Sequence, residues 1–182
     1  MKKLILGGMN IFLTLTISIG LTVFGTTEGW AQQKKKVSYK WTAADAEYTK
    51  QYTIDVSDDH QIRIFEIHRT FPKNPPFFEC VKVLEEWMRG GSDYIDLNGR
   101  WWGHGQYVLE NGDKIYYWAD GTSQSITNPD GTKKSTTIAV KHLGGGTGKF
   151  STIVGVLRHK ATFDPKAGFN KGQCEGEYWI DK

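Results

Sequence analysis

Gly144-Gly145-Gly146-Thr147-Gly148-Lys149-Phe150 joins two strand-like runs, Ser135–His142 and Thr152–Phe163. A glycine-rich loop that opens a helix would suggest phosphate binding at the helix N-terminus. No helical periodicity follows here. Phe150, not Ser or Thr, stands after Lys149, so the Lys-Ser/Thr pair of a phosphate-binding loop is missing. The loop therefore reads as a tight, strained connection between strands of an all-β barrel. That reading moves the search for function away from nucleotides and toward the barrel interior.

The neighbouring sequence carries the same signature. Gly103–Glu110 and Lys114–Ala119 flank Asn111-Gly112-Asp113, a strong hairpin signal. Asp120-Gly121 and Asp130-Gly131 mark two further turns. Upstream, His60–Arg69 alternates with period two. Ile62, Ile64, Glu66 and His68 share one face; Arg63, Phe65, Ile67 and Arg69 share the other. The prolines of Phe71–Pro76 break the run. Phe78–Met88 resumes it, with Cys80, Lys82, Leu84 and Glu86 opposite Val81, Val83, Glu85 and Trp87. A helix over Val81–Met88 is the alternative. Gly90-Gly91 ends this segment, Ser92–Leu97 forms a short strand closed by Asn98-Gly99, and Gln173–Asp181 is the last strand.

About eight strands, mostly antiparallel, result. Closing them into a barrel removes exposed edges. The expected fold is a single all-β domain, a closed eight-stranded antiparallel barrel over residues 59–182. Such a barrel holds side chains or one small ligand. Residues 32–58 read as a polar, loosely packed lead-in, partly helical around Ala43–Tyr48.

Residues 1–31 read as a targeting segment. Lys2 and Lys3 give a basic start, Leu4–Phe24 is largely apolar, and Gly29-Trp30-Ala31 offers small residues at a cleavage site. An uncleaved membrane anchor is the alternative. Cleavage would send the protein to the periplasm or the exterior and leave 151 of the 182 residues, enough for a real core. The whole chain carries +3; loss of Lys2, Lys3 and Glu28 leaves +2, too little to argue for nucleic acid. Lys34-Lys35-Lys36 reads as a solvated tail. Cys80 and Cys174 can form a disulfide in an oxidising compartment; the alternative is two free buried thiols. Two cysteines and no clustered histidines leave no metal site to expect.

Two patches resemble a known family. Arg63-Ile64-Phe65-Glu66-Ile67-His68-Arg69 resembles the first barrel strand of allene oxide cyclases, which read tyrosine-glutamate-isoleucine-asparagine there. Gly145–Phe150, with Gly155 beyond, resembles the late hairpin shared by those cyclases and the plant dirigent proteins. The resemblance spans roughly Gln61–Asp181. It implies an eight-stranded, calycin-like barrel, often trimeric, in which a buried glutamate helps open a fatty-acid epoxide. Glu66 stands at that glutamate. His68 replaces the asparagine that holds an ordered water, which exchanges a fixed donor/acceptor for a titratable one. Thr152 stands where the cyclases have glycine.

Glu66 and His68 are also candidates on spacing alone. Two residues apart on a strand, they point the same way as Ile62 and Ile64. If that face lines the lumen, a carboxylate and an imidazole meet in an apolar pocket and can polarise a carbonyl or epoxide, or move a proton. If Phe65 and Ile67 face the core instead, the pair is structural. Cys80, Tyr107, Tyr116 and Trp118 are further candidates to line a ligand site, with plain core packing as the alternative. His104, between two glycines, reads as a surface or lumen-mouth residue. His60, His142 and His159 read as surface residues.

The expected function is a secreted barrel that binds a small, largely apolar molecule, with isomerase or cyclase activity at Glu66 as an extension. No cofactor is required for that chemistry. The alternative is a barrel packed with aromatics that acts through its outer wall, as a homo-oligomer (dimer or trimer) or with a partner.

Overall fold

The computed structural model describes residues 33–164 and 168–181. The expectations for residues 1–31 lie outside them. Ten strands follow in chain order: β1 Lys35–Thr42, β2 Ala46–Asp55, β3 His60–Thr70, β4 Phe77–Phe78, β5 Val81–Ile95, β6 Asn98–Leu109, β7 Lys114–Thr127, β8 Lys133–Gly146, β9 Ile153–Asp164 and β10 Gly168–Ile180. The hydrogen-bonded order is β1-β10-β9-β8-β7-β6-β5-β3-β2, with the short β4 paired to β5 alone. Every pairing is antiparallel. From β5 to β10 the strands form a simple meander, as the hairpin signals require.

Two expectations are corrected here. The closed eight-stranded barrel is replaced by a ten-stranded sheet whose hydrogen-bonded path stays open between β1 and β2. The loosely packed lead-in is also wrong in kind. Residues 35–55 form the two end strands of the sheet, joined by a single 3-10 turn at Ala43–Asp45. Val37, Tyr39 and Trp41 of β1 are buried. Lys35 and Lys36 are strand residues paired to Tyr178 and Glu177, not a free tail.

The sheet curls until its two ends face each other. The Arg69 guanidinium of β3 lies 4.8 Å from the ring of Trp41 of β1, although these strands stand near opposite ends of the path. Tyr39 of β1 meets Tyr107 of β6, hydroxyl to hydroxyl, at 2.8 Å. The inner face thus becomes one core, with Phe78, Tyr107, Leu109, Ile115, Phe150, Ile153 and Leu157 fully buried.

Glycines expected to end strands lie inside them. Gly90 and Gly91 sit within β5, and Gly121 within β7. A Cβ on Gly90 would lie 2.0 Å from the Trp102 carbonyl oxygen, and one on Gly121 would lie 2.5 Å from Trp101 Nε1. These glycines mark close approach, the other meaning of glycine in a strand. Hence β5 and β7 are each one long strand. The actual β5–β6 turn is Asp96-Leu97, both at positive φ (49° and 67°). The glycine loop itself connects strand to strand, as the sequence reading requires. Gly148 sits at φ +53°, and a Cβ there would strike the Asp113 carboxylate at 2.2 Å.

Candidate functional site

The centre of the inner face is charged. Arg69, Glu86 and Lys141 are at most 2% exposed, a condition rare for these residue types unless they are paired. Arg69 arrives by plain alternation on β3 behind Phe65 and Ile67. Lys141 does the same on β8, between Ala139 and Leu143. Glu86 needs an irregularity. The β5–β6 register shifts between Val83 and Glu85, so Val83 and Glu86 both point inward.

The three groups form one network. Arg69 Nη1 donates to Glu86 Oε2 at 3.1 Å. Lys141 Nζ donates to Glu86 Oε1 and to the hydroxyls of Tyr107 (3.2 Å) and Tyr39 (3.3 Å). The Tyr117 hydroxyl donates to Glu86 Oε1 at 2.5 Å. Burial alone would raise the Glu86 pKa, but Lys141 and Arg69 overcome it and hold the carboxyl down to about 2. The hydroxyls of Tyr39, Tyr107 and Tyr117 are held protonated, chiefly by burial. All three tyrosines are held protonated, and Glu86 takes bonds from three partners, Arg69, Lys141 and Tyr117.

His159 lies beside it, buried between Trp41 (stacked, 6.2 Å) and Trp101 (edge-on, 6.4 Å). It is not the surface residue expected from the sequence. Burial drives its pKa well below the usual histidine value, and the charges of Lys141 and Arg69 add to that. Cys174 is buried nearby, with its thiol pKa raised by burial. Cys80 is exposed in the turn before β5, and both thiols are free, so the expected disulfide is not formed.

The choice of face on β3, open in the sequence, falls to the second reading. Phe65, Ile67 and Arg69 point in, so Glu66 and His68 stand on the outer wall. Glu66 Oε2 takes a 2.6 Å bond from Arg89 Nε, and Oε1 takes one from Thr49 Oγ1 at 2.8 Å. The Thr49 bond leads in lowering its pKa. His68 stacks on Trp87 at 4.0 Å and lies 3.5 Å from both Glu47 and Glu85. Of the expected ligand-lining residues, only Tyr107 faces the interior. Ile62, Ile64, Tyr116 and Trp118 are exposed on the outside, and Cys80 lies in its turn. The sequence reading missed Lys141 and Glu86 as site residues. A lysine alternating in phase with Ala139 and Leu143 was the available signal for the first.

Among the described residues, the inner face is closely packed. Its cavity measures about 40 Å³ and lies between Arg63, Arg69, Ser92, Tyr94 and His159. An open space of about 620 Å³ is a groove on the outer wall lined by Ile138 and Val140 and by Arg100, Asp120, Arg158 and Glu175. Across the outer wall the register aligns Trp118, His142 and Val156, and next to them Trp102, Asp120, Val140 and Arg158. Trp102, Tyr116, Trp118, Ile138, Val154 and Val156 are each at least 38% exposed. They stand on the outer wall over β6–β9, interspersed with Asp120, His142, Arg158 and Lys160.

Among the described residues, no group of three or more His, Cys, Asp and Glu side chains is placed to hold a metal ion. Comparison with family models, curated proteins and solved structures finds no match in any of the three.

Proposed function

We propose that this protein is a non-catalytic interaction protein, a curled sheet that works as a packed barrel and associates through its outer wall with a second copy of itself. The observation that carries this reading is where the space lies. An apolar small molecule needs a pocket of several hundred Å³. Among the described residues, the interior cavity measures about 40 Å³ and the outer-wall groove about 620 Å³. An allene oxide cyclase-like reaction also lacks its pocket, because Glu66 is tied to Arg89 and Thr49 on the outer wall.

Large apolar side chains exposed together on one sheet wall among polar residues mark a contact surface. Its rim carries both signs close together: Arg100, Arg158 and Lys160 against Asp120, Glu175 and Glu177. A mixed rim suits an isologous contact, in which one patch meets its own copy about a two-fold axis.

Sedimentation of the purified protein over a wide concentration range tests this. A concentration-dependent dimer is expected, and Trp118→Lys with Ile138→Asp should leave monomer with unchanged thermal stability. A wild-type monomer throughout would refute the contact. Saturable binding of a fatty acid, displaced by a second apolar compound, would instead restore the interior-ligand reading.

A further inference from the structure

Strand β2 ends the hydrogen-bonded path, so among the described residues no strand takes the backbone groups along its outer edge. A free edge is a template for a further strand, and proteins ordinarily blunt it with lysine, proline or a bulge. The other end strand, β1, carries Lys35, Lys36 and Lys40. β2 has less protection. Its bulge lies between Tyr48 and Lys50, in the first half of the strand. Lys50 is turned to Glu66 of β3, at 3.8 Å. From Gln51 to Ile54 there is no charge and no proline, and every residue from Thr49 to Asp55 is exposed. The exposed side chains are sorted by face. On the outer wall Tyr52 stands directly opposite Ile64, and Ile54 opposite Ile62, all four exposed. Gln51, Thr53 and Asp55 alternate with them and are polar. A strand added to β2 would set its own side chains beside Tyr52 and Ile54 and lengthen both apolar rows.

The charge at the end of this edge says what such a strand should carry. Asp55, Asp58 and Asp59 are exposed there, and Asp55 and Asp59 take bonds from the neutral donors Gln61 Nε2 (2.8 Å) and Ser57 Oγ (3.1 Å). Basic residues on the incoming strand would complement these carboxylates. The β2 edge of a second copy is a poor source, because Lys50 is its one cation and Glu66 already holds it. We propose that the free edge of β2 binds an extended segment of another protein. The segment runs antiparallel to β2, with aliphatic residues at alternate positions and Lys or Arg at its N-terminal end, beside Asp55. Backbone bonds along the edge supply affinity, and the alternate side chains supply selection. The site lies on β2 and β3, outside the β6–β9 wall, so the inference stands apart from self-association.

A capped peptide, Lys-Lys-Thr-Val-Thr-Ile-Thr, tests this with amide hydrogen exchange of the purified protein as the readout. Saturating peptide should slow exchange at alternate amides of Gln51–Asp55 about tenfold or more, and leave β7 and β8 unchanged. Tyr52→Lys with Ile54→Lys, both at exposed positions, should weaken binding about tenfold or more at an unchanged thermal midpoint. N-methylation of the peptide at Val and Ile, or instead at its threonines, removes the donors along one edge or the other. Only one of the two sets should abolish binding, a distinction that a merely adhesive apolar surface would not make. Equal binding of both methylated peptides would overturn the inference, as would unslowed exchange in β2 at millimolar peptide. So would a Trp118→Lys, Ile138→Asp protein that still dimerises and loses the dimer on Tyr52→Lys, because a second copy would then be the occupant of the edge.

Discussion

Lys141 of β8 donates its Nζ hydrogen to Glu86 Oε1 of β5 in the centre of the fold, where neither side chain is more than 1% exposed. Strands β8 and β5 are not neighbours in the sheet; β7 and β6 lie between them. The bond therefore crosses the interior and ties one side of the curl to the other. Buried pairs of this kind hold register more dependably than they add net stability.

Truncating one member should be costly. Lys141→Met leaves Glu86 with Arg69 and Tyr117 but strips its closest cation, and should lower stability by about 3–5 kcal/mol. Urea unfolding reads this as a lower midpoint at unchanged slope. Replacing the whole cluster (Arg69→Met, Glu86→Leu, Lys141→Met) should cost far less than the single change. A single variant as stable as wild type would show that the cluster does not bear on folding.

Acid should unfold the protein in two overlapping stages. His159 is depressed in the folded state, so its contribution is complete above the unfolded value near 6.5 and is lost as pH falls below it. Glu86 titrates at about 2 when folded, against an ordinary 4.5. Its contribution is present above the unfolded value and disappears as pH falls from there toward 2; the difference is worth about 3 kcal/mol. Denaturant midpoints measured against pH should fall first below about 6.5 and more steeply below about 4.5. His159→Phe should remove the first stage and keep the second.

Much of this was legible in the sequence. The all-β class, the antiparallel hairpins and the strand-to-strand glycine loop follow from period-two runs punctuated by turn residues. The two faces of β3 were also separable; only the choice between them was not. Arginines bracket the apolar residues of one face, and isoleucines accompany Glu66 on the other, so local pattern favours neither. Burial of Arg69 depends on Glu86, and Glu86 is reached through a register shift that no alternation rule reveals. Strict period two places Glu86 opposite Val83, while the β5 irregularity puts both inside. Gly90, Gly91 and Gly121 read as turns because their close contacts, Trp102 and Trp101, come from the neighbouring strand.

Gly90→Ala should therefore act as a packing defect. The added methyl group would lie 2.0 Å from the Trp102 carbonyl and 2.9 Å from Gly103 Cα, both backbone atoms of the paired strand. Neither can move without parting β5 from β6. A loss of about 1–3 kcal/mol is expected. Gly112→Ala is the useful contrast: nothing lies within 4 Å of its Cβ position, and only its φ of +85° opposes the change. It should cost about 1 kcal/mol or slightly more. Thermal melts that rank the two in the reverse order would contradict the strand-internal placement of Gly90.

The two cysteines should separate by reactivity. Cys80 is exposed in the turn between β4 and β5, so its thiol meets reagent freely. Cys174 is buried on the inner face, and burial raises its pKa, which keeps the unreactive thiol form dominant. Under native conditions an alkylating reagent followed by mass spectrometry should therefore add one label, at Cys80. In denaturant it should add a second, at Cys174, with no reductant needed. If labelling in denaturant requires prior reduction, the two sulfurs are bonded, and the free exposed thiol of Cys80 is not its state in solution. With free thiols, the rate of the second label at rising denaturant reports how often the interior opens. Lys141→Met, which loosens the network beside Cys174, should raise that rate and leave the rate at Cys80 unchanged.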